Sequence, residues 1–64
     1  MFDLYDKVKI VKNGVVGIIV DIIEQPGEIV FIVESDREGD AADASYHSLW
    51  PLYDCLGDEL LQIN

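Results

Sequence analysis

The sequence predicts a small all-β domain: five short antiparallel strands bent into a barrel, with a short 3₁₀ or helical turn before the last strand. Three observations carry that expectation. Residues 7–11 alternate apolar Val8 and Ile10 with Lys7, Lys9 and the following Lys12, the two-residue period of a half-buried strand. Residues 15–23 (VVGIIVDII) and 28–34 (EIVFIVE) are dense in β-branched and aromatic side chains, which suit strands better than helices. Asn13-Gly14 and Gln25-Pro26-Gly27 separate these stretches with residues that make tight turns.

In the first strand, 7–11, Val8 and Ile10 are expected inward and the lysines outward. The second, 15–23, is apolar on both faces: Val16, Ile18, Val20 and Ile22 line one, while Val15, Ile19 and Ile23 share the other with Gly17 and Asp21. Such a strand is covered on both sides, either by a curled sheet or by a second molecule. Gly17 within it marks a bend, a bulge or a close approach of another backbone. The third strand places Ile29, Phe31 and Val33 on one face and Val30 and Ile32 on the other, and it forms a hairpin with the second. Residues 35–45 (SDREGDAADAS) are small and acidic and read as a solvated loop, with a helical turn through Ala41 and Ala42. A fourth strand is expected at 46–50, ended by Pro51. Residues 51–57 are expected to hold the 3₁₀ or helical turn, and 58–63 the final strand.

Composition narrows the function classes. One domain is expected from 64 residues, near the lower limit for an independent core, and at this size a homodimer is a ready source of extra stability. Thirteen acids against four basic residues give a formal charge of -9. That field repels phosphate backbones and attracts basic partners. Cys55 is the lone cysteine, which rules out an intramolecular disulfide and fits a cytoplasmic setting. The start, MFDLYD, lacks the features of a signal peptide, and residues 15–23 are too few to cross a bilayer.

The order Tyr5-Asp6-Lys7-Val8-Lys9-Ile10, then Gly14, then residues 17–22 (GIIVDI), resembles the opening of KOW and related SH3-like barrels. It is closer to short bacterial SH3-like proteins with the pattern DxVxL, GxxGTVV, VEF and a terminal LxxI. Asp6, Val8 and Ile10, Gly14, residues 17–20, Val33-Glu34 and residues 60–63 stand at the corresponding places. The resemblance implies a KOW-like, SH3-like barrel, a fold that serves ribosomal, transcriptional, peptide-reading and immunity proteins alike. RNA-binding KOW domains are usually basic, and this chain departs from them in charge. Leu52-Tyr53-Asp54 and Asp58-Glu59-Leu60 also look like signatures of peptide-binding SH3 domains, but here they close the chain rather than open it.

No catalytic or metal site is expected. His47, Cys55 and Asp54 are the elements from which a nucleophilic site could be built, yet such a site needs a thiol, a base and an orienting group in mutual reach. Asp36, Glu38 and Asp40 imitate part of a calcium loop, but its twelfth position is His47 rather than an acid. The feature that points to binding is the aromatic group Tyr46, Trp50 and Tyr53 beside the acids Asp36, Glu38, Asp40 and Asp43, because aromatic residues dominate hot spots and acids steer basic partners. The bland alternative has Trp50 closing the barrel end. The expectation is a non-enzymatic acidic interaction module without cofactor, an immunity, antitoxin or inhibitor type of protein that covers a basic partner. The rival is a nucleic-acid-associated KOW-like module using Lys7, Lys9 and Lys12.

Overall fold

The computed structural model describes residues 2–39 and 41–63, and it is all-β with one short 3₁₀ turn. The strands are β1 (Lys7–Ile10), β2 (Val16–Gln25), β3 (Glu28–Ser35), β4 (Leu52–Leu56) and β5 (Leu60–Gln62). The 3₁₀ turn Gly57–Glu59 stands directly before β5. All pairings are antiparallel, in one sheet of order β4-β3-β2-β1-β5. The sheet is open, since β4 and β5 end it without pairing to each other.

Alternation places the core as expected in β1: Val8 and Ile10 are fully buried and Lys7 and Lys9 exposed. The core cluster draws on every strand, with Val8, Ile10, Ile19, Phe31, Val33, Tyr53, Cys55 and Leu60 packed together. No helical layer covers this face among the described residues; Phe2, Val15, Ala41 and Ala44, which lie outside the strands, pack against the cluster. Phe2 closes one side, edge-to-face on Phe31 with ring centroids 5.6 Å apart.

β2 departs from a single alternation. Ile19 pairs with Val33, but the next pair is Asp21 with Ile32, so Val20 is an extra residue in the ladder. The bulge reverses the faces beyond it. Ile19 is fully buried, Ile22 packs against the core, and Ile23 points away and is 39% exposed. The expected sharing of one face by Val15, Ile19 and Ile23 therefore fails at Ile23. Gly17, three residues before the bulge, is a place of close approach: a Cβ there would overlap the Glu34 carbonyl oxygen and stand 2.8 Å from its carbon.

The fourth strand lies at Leu52–Leu56 rather than at residues 46–50. Pro51 does not end a strand but precedes one. It is buried, and its carbonyl accepts the Ser35 amide at 2.9 Å, while its missing N–H costs nothing at a strand start. Residues 46–50 instead belong to a long connection, which touches β4 through the Tyr46–Leu52 bridge. The turn expected within 51–57 falls at Gly57–Glu59 for the same reason.

The free edge of β4 is blunted. Its three outward amides are each taken: Leu52 N donates to the Tyr46 carbonyl at 3.2 Å, Asp54 N to Ser45 Oγ at 3.0 Å, and Leu56 N to Glu59 Oε1 at 2.8 Å. An edge with no idle donors is a poor template for another strand.

Candidate functional site

The long connection from Asp36 to Trp50 holds most of the residues expected to bind a partner. It is less solvated than its composition suggests. Ala41 and Ala44 pack against the core, the Gly39 amide donates to the Leu49 carbonyl at 2.9 Å, and Ala44 N closes a turn on the Ala41 carbonyl at 3.1 Å. Small side chains let the loop lie close to the sheet.

Asp43 ties this loop down. Its Oδ2 accepts from Asn13 Nδ2 at 3.0 Å and its Oδ1 from the Tyr53 hydroxyl at 3.4 Å. Asn13 Oδ1 in turn accepts the Val15 amide at 3.0 Å, an Asx-type contact that shapes the β1–β2 turn. Asp43 is thus committed within the chain. Asp36 and Glu38 are exposed, and Asp40 lies outside the described residues. Asp36 and Arg37 border a cleft of about 330 Å³ with Asn13, Gly14, Val15 and Ser35.

The three aromatic residues do not form one surface. Tyr46 is 52% exposed and Trp50 38%, but Tyr53 is a core residue with its hydroxyl turned to Asp43. Burial, then the charge and hydrogen bond of Asp43, raise the Tyr53 pKa above its ordinary value. Placing β4 after Pro51 is what turns Tyr53 inward, since Leu52–Leu56 alternates with Tyr53 and Cys55 on the core side. Trp50 is half-covered in the connection, where its carbonyl accepts the Ser48 hydroxyl at 2.6 Å.

The three lysines of the rival reading also separate. Lys7 and Lys9 are exposed on one face of β1, and Tyr5, 72% exposed, precedes them with a left-handed backbone (φ 69°). Lys12 lies beyond the strand, where its ammonium sits 3.5 Å from Glu59 Oε2.

The nucleophilic constellation does not come together, and the calcium-like one includes Asp40, which lies outside the described residues. Asp54 and Cys55 are neighbours on β4 and so face opposite sides of the sheet, with Cys55 2% exposed. Among the described residues no three of His, Cys, Asp and Glu are grouped to hold a metal ion. Burial pushes the Cys55 thiol up to about 11 from 9.0; the Glu59 charge adds to this, Lys12 opposes it and Asp54 adds to it. Because the folded pKa exceeds the unfolded one, the contribution is complete below 9.0 and is lost as pH rises through about 11. Tyr53, whose pKa is also raised on folding, adds to the alkaline loss in the same direction. The urea midpoint is therefore expected to fall over this alkaline range, and to fall less in Cys55→Ala; an equal fall in both proteins would show that the thiol stays accessible to water.

Comparison with family models, with curated proteins and with solved structures finds no match to this chain.

The residues missed by sequence reasoning are those around the tip of the β2–β3 hairpin. Ile23, Ile29 and Leu56 are 39%, 47% and 39% exposed. Ile23 was hidden by the bulge, and Leu56 by the displaced fourth strand. No helix among the described residues is long and apolar enough to cross a membrane.

Proposed function

We propose that this chain is a non-enzymatic acidic interaction module on an SH3-like barrel, of the immunity, antitoxin or inhibitor type, which covers a basic surface of another protein. The observation that carries the reading is the excess of nine negative charges on a chain of 64 residues. The barrel part is supported by a core to which all five strands contribute and by the pairing of the first strand with the last. Exposed Asp36 and Glu38 offer steering charge, and exposed Tyr46 and Trp50 of the same connection offer aromatic contact area.

A pull-down from nuclease-treated lysate tests this. The captured protein is expected to carry a basic surface and to be released as salt rises from about 0.05 to 0.5 M, where screening shortens from roughly 14 to 4 Å. Asp36→Asn with Glu38→Gln is expected to weaken capture. Retention indifferent to salt and to both substitutions would overturn the electrostatic reading. Salt-sensitive anisotropy with mixed RNA and DNA would instead favour the KOW-like rival on the Lys7 and Lys9 face.

A further inference from the structure

Two clefts flank Leu56 where β4 meets the end of the β2–β3 hairpin. One, of about 590 Å³, is lined by Ile29, Phe31 and Gly57 among others; the other, of about 460 Å³, by Ile23, Val30 and Tyr46. Gln25, Glu28 and Leu56 border both. Ile29 and Val30 are successive residues of β3 and point to opposite faces, so the clefts lie on the two sides of the sheet with Leu56 as the ridge between them. Together they make an apolar saddle.

The rim of the saddle is acidic. Glu28 borders both clefts, Asp58 the first and Asp54 the second, and no lysine or arginine lines either. Lys7 and Lys9 lie on β1 and Arg37 past the far end of β3, while Lys12 comes near the saddle through Glu59, whose other oxygen accepts the Leu56 amide; that ion pair leaves Glu28, Asp54 and Asp58 unmatched. Negative charge at the hairpin tip is therefore not balanced locally.

We infer that this saddle docks a basic amphipathic segment of a partner protein, whose apolar side chains enter the clefts on either side of Leu56 while its lysines or arginines meet Glu28, Asp54 and Asp58. The inference rests on the acidic-module reading and gives it a location. Charge complementarity selects the occupant. A second copy of the chain would set acidic rim against acidic rim. Strand addition along β4 is closed because Leu52, Asp54 and Leu56 have their outward amides occupied, so recognition runs through side chains. Tyr46, which belongs to the Asp36–Trp50 connection, lines the second cleft and joins the saddle to that loop.

The test uses fluorescence anisotropy with two labelled peptides of equal charge, one of lysine and leucine in amphipathic order and one with every leucine replaced by serine. The lysine–leucine peptide is expected to bind at least about tenfold more tightly, and Leu56→Asn to weaken it by about tenfold, as loss of a central apolar anchor does. Ile23→Asn provides a second variant on the same saddle. Leu61→Asn, at an apolar site on β5 that is more exposed than Leu56 (56% against 39%), is expected to leave binding unchanged. Equal binding of the two peptides, or equal effects of Leu56→Asn and Leu61→Asn, would overturn the saddle while leaving the acidic module standing. No binding of either peptide at low salt would remove both readings. A wild-type dimer that Leu56→Asn converts to monomer would assign the saddle to a second copy instead.

Discussion

Gly17→Ala is expected to cost about 2–4 kcal/mol, the range in which overpacking against an unyielding neighbour lies. The methyl group would occupy the position of the Glu34 carbonyl oxygen, and Val33 Cγ1 stands 3.0 Å away on the same side. Backbone cannot rotate aside as a long side chain can, so β2 and β3 would have to separate where Gly17 pairs with Ser35. A domain of this size has a total stability of only about 3–10 kcal/mol. A large fraction of Gly17→Ala molecules should then be unfolded at moderate temperature, read as an early thermal transition by circular dichroism. A melting temperature within a degree or two of the parent would mean that the strands are not this close.

Ile19→Asp is expected to abolish folding, whereas Ile23→Asp should leave a folded protein. The two positions are four residues apart in one strand, yet Ile19 is fully buried among Val33 and its neighbours and Ile23 is 39% exposed on the opposite face. A carboxylate at 19 would lose its hydration with no partner to replace it, a cost of several kcal/mol, on top of the roughly 2–5 kcal/mol lost with the isoleucine packing. At 23 the new charge stays in water. Dispersion of amide proton shifts separates the outcomes: collapsed spectra for Ile19→Asp and dispersed ones for Ile23→Asp. Dispersed spectra for both would place Ile19 outside the core.

Much of this architecture could be read in the sequence where one physical signal acted alone. Alternation of lysine with Val8 and Ile10 gave the correct faces of β1. Pro26-Gly27 marked the hairpin turn, where Gly27 takes a φ of 85°. Gly17 was marked as a place of close approach, though a bend or bulge fitted equally well. The Val20 bulge left no trace, because an extra apolar residue in a run that is apolar on both faces disturbs no visible period. The fourth strand was misplaced because Pro51 serves as readily before a strand as after one. Reading Leu52–Leu56 as an alternating strand required Tyr53 and Cys55 to count as core, and a tyrosine also suits a binding surface. That single displacement carried the site with it: Tyr53 moved inward, and Leu56 emerged beside Ile23 and Ile29.

The bulge also sets how the sheet is held. β1 pairs with β2 across Val16–Ile18, and the Tyr5 amide extends that hold to the Ile19 carbonyl at 2.7 Å. Past Val20, β2 has only β3 beside it, and the hairpin end from Asp21 to Ile32 is secured to the rest of the sheet through the β4 residues Asp54, Cys55 and Leu56. The sheet therefore has a centre and, past the bulge, a two-strand ribbon that is tied to the core around Val8 and Ile19 by its own residues Ile22 and Phe31. Leu56 lies on the seam between them. A ligand seated there would brace the ribbon against the centre, so that the energy of recognition would be felt first as quieter motion at the hairpin tip.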